Sequence, residues 1–219
     1  MIVVVKVLAA WLAAYLLGSI PPGMFWAWII KRVDVRKQGS GRTGGSNVWR
    51  AAGFSAALLT AIFDGLKGAA AIWVGRALGL GPWALAIAGT LAVIGHNYSL
   101  YLGLHGGAGT MTSIGVAAAL WLPALPILIG SGLVIALLVG HTSMASILVA
   151  LLLPILFAFR QEIPYAVGMG LPTMILTLWA LRPNIQRLYH GEERFIPIYY
   201  NKPPLIRISH HPHEQKDSQ

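Results

Sequence analysis

The 219-residue chain has no cysteine and little charge: Asp, Glu, Lys and Arg together make up 11% of it, and only seven residues are acidic. Without cysteine there are no disulfides, no thiol nucleophile and no thiolate metal site, which excludes several enzyme classes. The scarcity of charge is matched by 56% hydrophobic residues and a mean hydropathy of +0.67. One soluble core of this size cannot hold that much apolar surface, so the bilayer is part of the protein's solvent.

Crossing a hydrocarbon core of about 30 Å takes roughly 20 apolar residues in a helix. Breaking the chain at its polar and Gly/Pro punctuation gives about seven candidate spans, near residues 3–30, 53–75, 82–103, 110–122, 124–140, 145–159 and 163–181. The run from Ile2 to Leu17 continues past Pro21 and Pro22 into Phe25–Ile30 and is read as a retained first span, not a cleaved signal. The turn from Trp121 to Pro126, with two prolines, either joins two short helices or kinks one long one. The expected fold is an all-α integral membrane protein with a single membrane domain over residues 1–194. A polar C-terminal tail over 195–219 is expected to be partly disordered.

Basic residues set the orientation. Lys31, Arg32, Arg36, Lys37, Arg42 and Arg50 lie in the first loop, and Arg182, Arg187, Arg194, Lys202, Arg207 and Lys216 follow the last span. By the positive-inside rule both segments are cytoplasmic, which with seven spans puts the N-terminus outside and the C-terminus inside. The loops assigned to the cytoplasmic side, 31–52, 104–109 and 141–144 plus the tail from Arg182, hold nearly every glycine-rich or strongly polar stretch.

The first such stretch is Gly39-Ser40-Gly41-Arg42-Thr43-Gly44-Gly45-Ser46-Asn47-Val48-Trp49-Arg50. Glycines let backbone N–H groups converge on one point, while hydroxyls and arginines supply donors and charge for a phosphate. The same composition also suits a basic loop lying on anionic lipid headgroups. A second glycine-rich turn, Gly103-Leu104-His105-Gly106-Gly107-Ala108-Gly109-Thr110, follows Gly95-His96-Asn97 and precedes a helix start, where amides and the helix dipole favour an anion. Its other reading is a tight interhelical turn.

Asp64 and Lys67 stand three residues apart inside the second span, on one helical face. Ionisable groups inside a membrane are costly and point to function, with a purely structural ion pair as the competing reading. His96 is a base, a phosphate ligand or an interfacial hydrogen-bonding residue. Ser143 and Ser146 sit at a span boundary, where Ser143 also fits a helix N-cap. Arg182–Arg194 leaves the last span as an interfacial amphipathic anchor or as a cap over the polar site.

Taken in order, these stretches resemble the bacterial acyl-phosphate:glycerol-3-phosphate acyltransferases, the PlsY family, from Gly18-Ser19-Ile20-Pro21 to Glu193. The first loop of that family typically reads Gly-Ser-Gly-Asn-x-Gly-Ala-Thr-Asn-Val-x-Arg, matched here by Gly39–Arg50. Asp64, Lys67 and Gly68 match its Asp-x-x-Lys-Gly, and Gly95-His96 its Gly-His. Ser143 and Ser146 match Ser-x-x-Ser, and Asn184–Leu188 with Gly191 and Glu193 match its last motif. The resemblance implies seven spans and a cytoplasmic-face active site in a bacterial inner membrane. It also implies transfer of a fatty acyl group from acyl phosphate to the sn-1 hydroxyl of glycerol 3-phosphate, giving lysophosphatidate. An acyl phosphate is already activated, so no covalent enzyme nucleophile is needed; the site must bind two phosphates and orient the hydroxyl.

On this resemblance Ser40, Arg42, Ser46, Asn47, Arg50, His105, Gly106, Gly107, Ser143, Asn184, Arg187 and Glu193 are expected to bind substrate phosphates. His96, Asp64 and Lys67 are expected to form the catalytic polar core. No metal and no cofactor are expected. The partners are acyl phosphate, glycerol 3-phosphate and the bilayer, with no nucleic acid, and a monomer is expected. The chain lacks the His-x-x-x-x-Asp dyad of the unrelated acyl-CoA or acyl-carrier-protein dependent enzymes.

Two departures stand out. Where the family usually has Lys-Gly-Gly-Lys-Gly-Val-Ala-Thr, this chain reads His105-Gly106-Gly107-Ala108-Gly109-Thr110-Met111-Thr112, so both lysines are absent. Each hydrogen bond to a charged group contributes on the order of 1.5–3 kcal/mol. Arg42 stands where Asn is usual and returns one positive charge from the other loop. The alternative function is a divergent paralogue that binds phosphate-bearing lipid precursors or acylates another acceptor. A small transporter would instead carry polar residues on both sides and inverted repeats, which are absent.

Overall fold

A computed structural model of the chain describes residues 1–200 and 204–206. Among the described residues there is no strand. The helices are α1 (Ile2–Ser19), α2 (Pro22–Lys31), α3 (Gly45–Ala52), α4 (Phe54–Ala77), α5 (Pro82–Asn97), α6 (Thr110–Leu120), α7 (Ala124–Val139) and α8 (Thr142–Phe159). The chain then forms α9 (Ile163–Tyr165), a π-helical stretch Ala166–Gly170, α10 (Leu171–Ala180) and α11 (Arg182–Tyr189). Five segments are long and apolar enough to cross a membrane, namely Ile2–Lys31, Phe54–Ala77, Pro82–Leu102, Thr142–Phe159 and Ile163–Ala180. The helices α6 and α7, with 11 and 16 residues, are shorter, and the Trp121–Pro123 turn joins them as two helices.

The first span is not one continuous helix. Pro21 and Pro22 have no N–H, so helical bonding fails at Ser19-Ile20, and α2 restarts with a proline at its first turn. Other elements take up the released carbonyls: Ser99 Oγ donates to Ser19 O at 2.5 Å and Lys67 Nζ to Ile20 O at 2.7 Å. Lys67 Nζ also lies 2.8 Å from Asp64 Oδ1, with both side chains buried. The lysine therefore has a partner on its own helix and one on the broken span, which meets the requirement that a charge within the bilayer be neutralised and hydrogen-bonded.

Apolar burial provides little drive between helices in lipid, so the bundle depends on close backbone approach. At Gly115 of α6 a Cβ would fall on the Gly65 carbonyl oxygen of α4, and at Gly68 on that of Thr112. Around this seam Ile72, Val116, Leu128, Leu153, Phe157 and Met169 form the main apolar cluster. A second cluster of Ala27, Val35, Val48, Ala52 and Ala56 fastens the first loop to α2, α3 and α4.

Residues beyond 194, expected to belong to the tail, contact the bundle. Ile196 is buried, its N–H donates to Gly140 O at 2.8 Å, and Ile206 N–H donates to Leu138 O at 2.9 Å. The packed domain thus continues beyond 194, because these side chains and amides find partners on α7 and the turn after it. Residues 201–203 and 207–219, including His210-His211-Pro212-His213, lie outside the described residues.

Replacing Lys67 with Met leaves the Asp64 carboxylate without its cation and Ile20 O without a donor. Removing one partner of a buried pair costs about 3–5 kcal/mol. Thermal unfolding in detergent should therefore show a much lower midpoint for Lys67→Met. The double variant Asp64→Asn/Lys67→Met should recover most of the loss; equal destabilisation in both would show that the pair does not hold the break.

Candidate functional site

The first loop is organised by one side chain. Asn47 Nδ2 lies 3.0 Å from Val35 O, 3.0 Å from Gln38 O and 2.9 Å from Arg42 O, and Asn47 Oδ1 accepts the Ser40 N–H at 3.1 Å. Asn47, expected as a phosphate ligand, lines the cavity described below, and its amide is committed to the loop's own backbone, where it sets Ser40 and Arg42 in place. The loop then enters α3 at Gly44-Gly45-Ser46, whose first-turn amides have no intrahelical acceptor.

Arg42 reaches across the site to the end of α10. Its Nη2 donates to Ala180 O, while Nη1 is buried with no partner. Burial, and next the charge of Arg187, push this guanidinium below its ordinary value. Arg50 on α3 is similar: its Nε is buried and unpartnered, and burial lowers it, with Arg194 adding in the same direction and Glu193 opposing. Two partly desolvated guanidiniums with no salt bridge to an acid among the described residues present donors and positive charge suited to an anion.

The second glycine turn backs onto His96. Gly107 N–H donates to His96 O at 3.1 Å, and a Cβ on Gly107 would occupy the position of the imidazole Nε2. On its other side His96 Nδ1 lies 3.2 Å from Asp64 Oδ1. Gly106 and Gly107, expected on a phosphate, thus form the floor beneath the histidine, and only Ala108, Gly109 and Thr110 of this turn line the cavity. His105, also expected there, is exposed and faces away. Leu104 has a φ of 63°, and His105 Nδ1 contacts Gly103 O at 2.7 Å, which directs the ring outward. Lys67, expected as a catalytic group, does not line the cavity and holds the α1–α2 break instead.

The third contribution comes from the C-terminal side. In α11 Asn184 lines the cavity, with Arg187 one turn further along. Glu193 returns from beyond the helix and joins them, accepting from Asn184 Nδ2 at 2.8 Å and from Arg187 Nε at 2.9 Å. Glu193 is itself buried and does not line the cavity; it orients the other two.

Together these parts surround one cavity of about 870 Å³. Ser40, Arg42, Ser46, Arg50, His96, Ser143 and Asn184 line its polar end. Ser143 Oγ and Thr110 Oγ1 are buried there without partners. From that end an apolar groove runs along α4 past Phe54, Leu58, Ile62 and Leu66 to Trp73, faced by Ile114 and Ala118 of α6 and Leu125, Ile129 and Leu133 of α7. From Leu58 to Trp73 an α-helix rises about 22 Å, more than half the bilayer core. Sequence reasoning missed α3 and this groove. In helices that are apolar on every side, groove-lining and lipid-facing residues look alike, and the only outward signal was the aromatic pair Trp49 and Phe54, whose rings meet at 5.4 Å.

Residues 8–191 match the family model described as glycerol-3-phosphate acyltransferase. A glycerol-3-phosphate acyltransferase of Rubrobacter xylanophilus is 40% identical over 195 residues, covering 84% of this chain and 92% of that protein. One from Thermus thermophilus is 40% identical over 194 residues, covering 85% and 94%, and one from Pectobacterium carotovorum is 34% identical with 98% of both chains covered. Crystal structures of PlsY, an integral membrane glycerol 3-phosphate acyltransferase, superpose with TM-scores of 0.81 in the glycerol 3-phosphate form and 0.79 in the lysophosphatidic acid form. Their identities are 32% and 31%, with 86% of this chain and 94% of those chains covered. The chain belongs to the glycerol-3-phosphate acyltransferase family.

Proposed function

We propose that this protein transfers a fatty acyl group from acyl phosphate to the sn-1 hydroxyl of glycerol 3-phosphate, releasing inorganic phosphate and lysophosphatidate. The observation that carries the reading is the single cavity in which guanidiniums without acid partners meet an apolar groove. An acyl phosphate has this division, a dianionic head on an alkyl chain, and the product shares it.

Arg42, Arg50 and Arg187, with Asn184, Ser40, Ser46 and Ser143, bind the two phosphates, while the groove along α4, α6 and α7 holds the chain. The first turns of α3 and α6 add backbone donors and dipole. The hydroxyl oxygen attacks the acyl carbon, the bond from that carbon to the phosphate oxygen breaks, and the phosphate leaves. Asp64 holds a proton on His96 Nδ1, which leaves Nε2 to take the hydroxyl proton and pass it to the departing phosphate. No acyl-enzyme forms. The guanidiniums act by placing the reactants and by stabilising charge as it moves to phosphate.

In this reading α6 and α7 complete seven crossings, with the N-terminus outside and the cavity's polar end at the cytoplasmic face of a bacterial inner membrane. Cation–π pairs support it: Arg32 on Trp28 at 4.0 Å and Arg182 on Trp179 at 3.2 Å belong to one interface, and Arg160 on Trp121 at 4.1 Å to the other.

Purified protein given acyl phosphate and glycerol 3-phosphate should produce lysophosphatidate. Arg50→Ala and Arg42→Ala should each lower kcat/KM about 10- to 100-fold, as loss of a charge-assisted contact requires. Product formation unaffected by both would place the phosphates elsewhere, and absence of product from the parent would favour a divergent paralogue. His96→Ala should lower kcat by about 10²-fold or more with KM little changed; a smaller drop would mean that the leaving phosphate takes the proton itself. Because the chain has no cysteine, a single one introduced at Lys37 should react with impermeant thiol reagents only from the cytoplasmic side, and one at Gly79 only from outside. The reverse labelling would invert the topology.

A further inference from the structure

The side chain that orients Asn184 and Arg187 has no rigid element of its own. Glu193 lies beyond α11, after Gly191 with a φ of 74° has turned the chain back on the helix, with Glu192 N–H donating to Arg187 O at 2.7 Å. That turn reverses the chain but leaves the depth of Glu193 open. The three residues that follow it are held by two residues of another helix pair, at the turn between α7 and α8.

There Arg194 O lies 3.2 Å from His141 Nδ1, the Phe195 ring stacks on the His141 imidazole with centroids 4.6 Å apart and planes 18° apart, and Ile196 N–H donates to Gly140 O at 2.8 Å. Gly140 has a φ of 82°, and the Phe195 ring sits where a side chain at 140 would point. His141 is buried, yet it neither lines the cavity nor hydrogen-bonds to Asn184 or Arg187; the next two residues, Thr142 and Ser143, do line it. One turn therefore presents Ser143 to the polar end and at the same time clamps the strap that carries Glu193.

We infer that His141 is a positioning residue for the phosphate-bearing acceptor, acting through the Arg194 carbonyl and the Phe195 ring to set Glu193, and through Glu193 to aim Asn184 and Arg187. Nδ1 donates to the carbonyl while the ring face carries the phenyl group, so both features of an imidazole are in use. An asparagine at this position keeps the donor and loses the stack; an alanine loses both. The inference rests on the reading that Asn184 and Arg187 hold a substrate phosphate.

The test is steady-state kinetics of the full-length protein in lipid nanodiscs with acyl phosphate and glycerol 3-phosphate, together with hydrogen exchange over residues 193–196. His141→Ala should raise KM for glycerol 3-phosphate about five- to twentyfold with kcat within about threefold of the parent, and His141→Asn should recover most of that change. Placed on Glu193→Gln, which has already weakened the link to Asn184 and Arg187, His141→Ala should add less than about twofold, because residues acting through one another are not additive. Full additivity, or a fall in thermal midpoint with KM unchanged, overturns the inference. If the parent makes no lysophosphatidate, the functional reading falls, and exchange then decides the clamp. Faster exchange of the Ile196 amide in His141→Ala supports it; unchanged exchange overturns it.

Discussion

A lysine inside a bilayer must be paired, and the way Lys67 is paired organises the rest of this molecule. Its ammonium group joins Asp64 on its own helix to the Ile20 carbonyl where the first span breaks. The break lets α2 leave the axis of α1 and deliver the first loop to the site. On the far side of Asp64 stands His96, and on His96 rests the second glycine turn. One buried charge cluster thus ties together the α1–α2 break, α4, α5 and the second glycine-rich loop, and its cost in lipid is met only while all of them are in place.

The polar end follows the opposite logic. Asp64 has two basic neighbours, whereas Arg42 and Arg50 have nitrogens that are buried and unpartnered. In a chain with seven acidic residues against sixteen lysines and arginines, acids near the cavity are few, and Glu193 is engaged in orienting Asn184 and Arg187. The charge left over is what a pair of phosphates would neutralise. In the second glycine turn His105 points outward and Gly106–Gly107 support the imidazole, while the guanidiniums that line the cavity are those of Arg42 and Arg50.

Several residue roles were legible from sequence only as a class. Asn47 was expected to bind phosphate, and its position in the loop does not reveal that four backbone groups converge on its amide. Lys67 and Asp64 were legible as a pair by their three-residue spacing, yet only the fold shows that the lysine turns toward Ile20 and away from the cavity. The groove was not legible at all. Leu58, Ile62 and Trp73 line it, while Trp11 lies against α5 and Ile2 is exposed, and nothing in their chemistry separates these fates.

The sequence by itself determined that the chain lives in a membrane and that its basic and glycine-rich stretches fall between apolar helices. Those properties are local: hydropathy over about 20 residues, proline and glycine at the breaks, and arginine counts between spans. Only the tertiary structure decided which arginines lack a partner, that Gly107 lies under His96, and that a strap beyond residue 194 returns to the α7–α8 turn. Each of these depends on groups far apart in the chain meeting within hydrogen-bonding or van der Waals distance, and no periodicity within a segment specifies such an encounter.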